Sequence, residues 1–277
     1  MENVWGRNEM NLYAVNAGAN DGVRGDPTQH LYAHMNYTGV AIEPRLQTFR
    51  QLEINYQEYE RVKCLHSGVT PGNVEDLLRK HGAPLNMDIF KIDIDHDDIL
   101  IVQALLSSEY RPKAVVMEFN EKIPPPIFFS MNYARQWPWA GDHCYGVSLA
   151  YAAHVLGEFG YRPVIVDGNN MVFVDANAKC QAFRNLTSDT VTLYEQGYSK
   201  TETRRKNFPW NENVDPWLSI VDNDPFVGAR MIMDHFIKTD TYQKSSATFT
   251  IAVDPYIDRQ LYSDPSNATI RLDQSYR

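Results

Sequence analysis

Five groups of polar residues in this 277-residue chain have types and spacing suited to chemistry. The first is Asn16-Ala17-Gly18-Ala19-Asn20-Asp21-Gly22. Glycine lacks a Cβ and tolerates positive φ, so a strand turning into a helix through it brings backbone close to a ligand. Asn16, Gly18, Asn20, Asp21 and Gly22 are therefore candidate cofactor contacts, although the same residues also suit an ordinary turn. The second is Glu43, 25 positions beyond Gly18. An acid closing the second strand, typically about 20 residues after such a loop, accepts hydrogen bonds from both ribose hydroxyls of a nucleoside. The third is Asp93 and Asp95, within Lys91-Ile92-Asp93-Ile94-Asp95-His96-Asp97-Asp98. Strand alternation puts Lys91, Asp93 and Asp95 on one face, which carries both acids to the strand's carboxyl end. Glu118-Phe119-Asn120 ends the next strand, and Asp142-His143 offers an imidazole that titrates near neutrality.

The acid run does not fit an EF-hand. Its glycine position holds Asp98 and its closing glutamate position holds Ala104. A divalent site built from Asp93, Asp95 or Asp97 with Glu118 is an open but disfavoured alternative, because such acids more often cap the next helix and bind polar groups. No metal is assigned.

The elements that must position these groups alternate between strand and helix up to about residue 175. Strands are expected at Asn11–Asn16, Tyr37–Ile42, Arg61–His66, Met87–Ile94 and Ala114–Phe119. Helices are expected at Thr28–Asn36, Gln47–Tyr56, Asn73–Lys80, Asp98–Leu106 and Gly146–Phe159. Arg162–Val166 and Met171–Val174 flank Gly168-Asn169-Asn170, a hairpin signal. The expected fold class is α/β, three-layer and Rossmann-like, with a mostly parallel seven-stranded sheet ending in that antiparallel hairpin. A dinucleotide dehydrogenase usually ends in a further parallel strand and carries Gly-x-Gly-x-x-Gly, and neither feature occurs here.

Two regions break the alternation. Residues 121–142 hold Pro124-Pro125-Pro126, Phe128, Phe129, Tyr133, Trp137 and Trp139, too aromatic and long for a plain connector. They are expected either to wall a substrate pocket, with Asn120, Phe128, Tyr133, Trp137 and Trp139 touching substrate, or to form a satellite hydrophobic cluster under a long loop. Residues 1–175 then form the nucleoside-binding domain, and 176–277 an extension in which only Pro225–Ile237 reads as helical.

A formal charge of -9 repels phosphate backbones and anionic lipid. The three cysteines, Cys64, Cys144 and Cys180, match neither a disulfide framework nor zinc-ligand spacing. With no apolar signal core, the expectation is a soluble cytoplasmic protein acting on a small molecule, without nucleic-acid or membrane partners.

Taken together, the segments resemble the FkbM-like family of S-adenosylmethionine-dependent methyltransferases. Residues 16–22 look like that family's acid-x-Gly-Ala-Asn-x-Gly loop, and Ala41-Ile42-Glu43-Pro44 like its second-strand ending. Ile92-Asp93-Ile94-Asp95 is similar to its Ile-Asp-Ile-Asp, and Val115-Val116-Met117-Glu118-Phe119-Asn120 to Val-Val-Ile-Glu-Tyr-Asn. Gly146–Ala150, Gly160-Tyr161-Arg162 and Asn170–Val174 follow its closing helix and hairpin. Asn16 departs from the pattern by replacing its acid, and His96-Asp97 replace Gly-Asn.

The resemblance implies S-adenosyl-L-methionine as cofactor, held by the glycine loop and Glu43, with Asp93 facing the reaction centre. It implies methylation of a hydroxyl, whose proton goes to one of Asp93, Asp95, Glu118 and His143. The contrasting expectation is a binding or assembly module that keeps the fold without the chemistry.

Overall fold

The computed structural model describes residues 10–95, 98–132, 143–177, 183–238 and 248–254. Its centre is a seven-stranded sheet of order β3-β2-β1-β4-β5-β8-β7. The strands are β1 (Tyr13–Ala17), β2 (Thr38–Ile42), β3 (Val62–Leu65), β4 (Ile89–Ile92), β5 (Ala114–Glu118), β7 (Tyr161–Asp167) and β8 (Asn170–Asp175). All pairings are parallel except β5 with β8 and β8 with β7. That is the mostly parallel sheet with a closing hairpin expected from the sequence. β1 and β4 are buried on both faces, which explains why Ala-Val-Asn-Ala and Ile-Phe-Lys-Ile lack a polar alternation.

Helices α1 (Gln29–His34), α2 (Leu46–Tyr56), α3 (Val74–Lys80), α4 (Asp98–Ser107) and α5 (Leu149–Gly157) connect the strands. Ser148 caps α5 by accepting from the Tyr151 amide, which starts that helix later than the apolar pattern suggests. β4 stops at Ile92, short of the expected Ile94, because Asp95 turns the chain through a φ of 61°. Asp93 and Asp95 therefore sit beyond the strand instead of on one of its faces.

The largest differences lie after β5. β6 (Ile127–Asn132) pairs antiparallel with β9 (Thr248–Val253), forming a separate two-stranded sheet. The inward residues Ile127, Phe129, Met131, Phe249, Ile251 and Val253 share a core with Trp217, Val221, Phe226, Ile232 and Phe236. These come from α8 (Asp215–Asn223) and α9 (Pro225–Lys238), so part of the aromatic stretch and the extension bury one common cluster. α6 (Thr190–Tyr194), α7 (Arg204–Asn207) and a π-helical turn, Glu195–Ser199, lie between. Only α9 is readable from local pattern; the other elements are short and gain stability from burial that sequence does not display. Among the described residues no helix is long and apolar enough to cross a membrane.

Candidate cofactor cleft

Strand register builds the site. Ala17 of β1 lies level with Ile42 of β2 and Ile92 of β4, and Ile92 lies level with Met117 of β5. The next residue along the chain from each of these is Gly18, Glu43, Asp93 and Glu118, so all four emerge in a row along the carboxyl edge. β1 is also where the order reverses, with β2 to one side and β4 to the other, the crevice in which open α/β sheets bind ligands.

Gly18 and Ala19 both donate their amides to the Ile42 carbonyl, at 3.0 and 2.9 Å, bending the chain sharply off β1. Gly18 has φ +83°, and a Cβ there would stand 1.9 Å from the Asp93 carbonyl oxygen. No other residue type fits. Glu43 is 6% exposed and accepts from the Asn20 amide at 3.0 Å and the Arg45 amide at 2.9 Å. Each carboxylate oxygen keeps a second lone pair for a ligand hydroxyl. Between these residues lies a cleft of about 170 Å³ lined by Gly18, Asn20, Glu43, Pro44, Arg45, Asp93, Ile94 and Asp95. This is small beside the roughly 300–1,000 Å³ of a typical ligand pocket, so a ligand here projects from its mouth. A broader polar groove of about 640 Å³, along Gln47, Thr48, Gln51 and Asn55, meets it at Asn20.

The other loop candidates face different ways. Asn16 is fully buried, donating to Asp26 Oδ2 and Thr28 Oγ1, and does not line the cleft. Asp21 lines the broader groove and not the small cleft; it accepts from the Arg24 and Val23 amides, bonds that hold its carboxyl below the usual range. Gly22 packs on α2: a Cβ there would come within 2.6 Å of Leu52 and Tyr56.

Asp93, Asp95 and Glu118 form an acidic group whose ligand-capable atoms all lie within 4.8 Å of one another. Lys91 Nζ, on a side chain 4% exposed, stands 3.3 Å from Asp93 Oδ2 and 3.4 Å from the Gly18 carbonyl. Beneath them Asp98 starts α4 and accepts from the Ile94 amide at 3.3 Å. Burial, then the Asp93 charge, pushes its carboxyl well above the usual range. Glu118 accepts from the Asn169 side-chain amide, and burial followed by Asp93, Asp98 and Asp95 raises its carboxyl to about 9. That direction favours the protonated form of Glu118.

His143 is not brought into this group. Its ring packs 5.8 Å from His235, its buried Nδ1 has no hydrogen-bond partner among the described residues, and burial followed by Lys122 lowers its pKa to about 4. Asn120 is fully buried and spends its amide on the His143 and Tyr145 carbonyls, each at 2.9 Å. That clamp fastens the return of the aromatic stretch to the end of β5. Phe128 packs on Tyr151 and His154. Tyr133, Trp137, Trp139, His96, Asp97 and Asp142 lie outside the described residues.

Sequence reading passed over Arg45 and Ile94, which line the cleft only because of where β2 and β4 stop. It also passed over Glu121 and Lys122, each 1% exposed. Their 3.0 Å ion pair is completed by Tyr145 and Asn211 on the Glu121 carboxylate and by Tyr194 on its carbonyl. Beside three prolines, a Glu-Lys pair carries no local sign of burial.

Comparison with known proteins sets loose boundaries. No protein-family model matches the chain, and no curated protein matches it. Solved structures do overlap it. An O-methyltransferase family protein from Burkholderia thailandensis is 13% identical over 58% of this chain and 49% of its own, with a TM-score of 0.37. Fibrillarin from Aeropyrum pernix, with natively bound S-adenosyl-L-methionine, is 11% identical over 58% of this chain and 66% of its own, at 0.40. An O-methyltransferase from neocarzinostatin biosynthesis, in complex with S-adenosyl-L-homocysteine and 1,4-dihydroxy-2-naphthoic acid, is 12% identical over 58% and 48%, at 0.35. The chain thus spans less than two thirds of each of these proteins, and overlaps this loose carry no function across.

Proposed function

We propose that the chain binds S-adenosyl-L-methionine at the carboxyl edge of β1, β2 and β4 and transfers its methyl group to a hydroxyl of a small molecule. One observation carries the reading. Gly18, Glu43 and Asp93 stand level on three adjacent strands around an open cleft at the reversal of strand order. An open cleft beside a carboxylate with spare lone pairs, reached by a glycine turn packed against the Asp93 backbone, fits a nucleoside with two sugar hydroxyls.

When bound, the cofactor supplies an electrophilic methyl group on a sulfonium centre. In this reading Glu43 accepts the ribose hydroxyls and the Gly18 turn lets the ligand approach backbone. Asp93 and Asp95 line the cleft, so one of them takes the proton of the acceptor hydroxyl. Glu118, held protonated, is a hydrogen-bond donor to the acceptor or to that carboxylate, and His143 has no part. Such a reaction needs little beyond alignment and exclusion of water.

The test is isothermal calorimetry with S-adenosylhomocysteine. Saturable heat in wild type that is lost in Glu43→Ala supports the proposal. No heat at all favours a module that has kept the fold alone.

The carboxylate group also supports a second reading, a divalent cation held by Asp93, Asp95 and Glu118. Lys91 already neutralises Asp93 from 3.3 Å, which makes the metal-free form self-consistent. Thermal stabilisation by magnesium that disappears in Asp93→Asn would decide for the metal.

A further inference from the structure

The residue that the resemblance leads one to expect as an acid at the end of β1 is Asn16. The missing negative charge stands ten residues later. Asp26 Oδ2 accepts from Asn16 Nδ2 at 2.9 Å and from the Tyr56 hydroxyl at 2.9 Å. Asp26 Oδ1 accepts from the Thr28 amide at 2.8 Å and the Thr28 hydroxyl at 2.6 Å. One carboxylate thereby ties the end of β1, the start of α1 and the last turn of α2.

These are the three supports of the loop from Gly18 to Gly25. The chain leaves β1 immediately after Asn16-Ala17. It rests on the Tyr56 ring at Gly22, where an added Cβ would come within 2.6 Å. It enters α1 at Thr28, which is 2% exposed. Asn16 is the matching neutral partner. Its Nδ2 also donates to Thr28 Oγ1 at 3.0 Å, while its buried Oδ1 has no partner among the described residues. An acid at position 16 would instead point a buried carboxylate at the half-buried Asp26, without the amide donor that joins them.

We propose that Asp26 is the positioning residue of the cofactor loop, with Asn16 as its obligate neutral donor. Asp26 does not touch the ligand. It sets where Gly18, Asn20 and Gly22 stand. The inference rests on this loop holding the cofactor, and its test separates the two claims.

Four proteins are compared: wild type, Asp26→Asn, Asn16→Asp and the exchange Asn16→Asp/Asp26→Asn. Asp189→Ala, which loses the cap of α6 away from the loop, is the control for general destabilisation. Losing hydrogen bonds to one charged group weakens S-adenosylhomocysteine binding in Asp26→Asn by about tenfold. Asn16→Asp is weakened at least as much. The exchange, which restores one acid facing one amide, binds more tightly than either single variant. Amide hydrogen exchange without ligand is the second measurement. In Asp26→Asn the Gly18, Ala19 and Gly22 amides exchange faster than in Asp189→Ala, while the β4 and β5 amides do not. Unchanged affinity, or acceleration spread evenly as in the control, overturns the role of Asp26, as does an exchange variant no better than its parents. If wild type itself binds no S-adenosylhomocysteine, the cofactor reading falls, and the exchange rates still decide whether Asp26 holds the loop.

Discussion

Replacing Glu118 by glutamine should make the folded protein less sensitive to rising pH. The carboxyl of Glu118 titrates at about 9 against 4.5 for an unperturbed group, because it is buried and faces Asp93, Asp98 and Asp95. In the unfolded chain it ionises near its ordinary value, so between those two pH values the folded state holds one more proton. Stability is therefore intact below the lower value and falls as pH rises through the window, by at most about 1.4 kcal/mol per pH unit. From pH 6 to 8 the limit is about 2.7 kcal/mol for one group, and sharing of the proton with neighbouring acids reduces it to about 1–2 kcal/mol. For a chain of this size that is a fall in Tm of about 3–6 °C. The glutamine side chain keeps an acceptor for the Asn169 amide and does not titrate. Thermal melts of wild type and Glu118→Gln at pH 6, 7 and 8 should diverge, wild type losing those extra degrees. Parallel curves would refute the claim that Glu118 is protonated in the fold. Millimolar magnesium adds a further arm: an ion held by the three carboxylates would favour their charged forms and flatten the wild-type curve.

Three other outcomes are expected. Gly18→Ala combines a residue forced to positive φ with a Cβ placed against the Asp93 carbonyl, costing about 2–5 kcal/mol; urea melts read the loss, and calorimetry should show no S-adenosylhomocysteine binding. Glu43→Ala frees the Asn20 and Arg45 amides, costing about 1–3 kcal/mol in the same melts, and removes the sugar contact. Glu121→Ala strands the buried Lys122 ammonium and should destabilise the fold by about 3–5 kcal/mol, whereas an exposed pair such as Lys200–Glu195 should cost under about 1 kcal/mol when Glu195 is replaced by alanine.

Much of the sheet was legible in the sequence because its signals are local. Continuous apolar runs mark strands buried on both faces, Gly168-Asn169-Asn170 marks the hairpin, and Glu43-Pro44 marks the end of β2. The closeness of Gly18, Glu43, Asp93 and Glu118 to strand ends could likewise be read, although the local pattern runs β4 on to Ile94 and β5 on to Phe119. Chain order, however, does not say which strands are neighbours. That Ala17 lies level with both Ile42 and Ile92 comes from parallel pairing between strands far apart in sequence, and this pairing alone makes four strand ends into one edge. Burial is the other quantity that only the assembled fold decides. It pushed the Glu118 carboxyl upward, turned Asn120 into a clamp and hid the Glu121–Lys122 pair. It also turned Asn16 away from the cleft toward Asp26. The physical reason is common to all four: residue type sets what a polar group can bond to, while long-range packing sets how much water and how many charges remain around it.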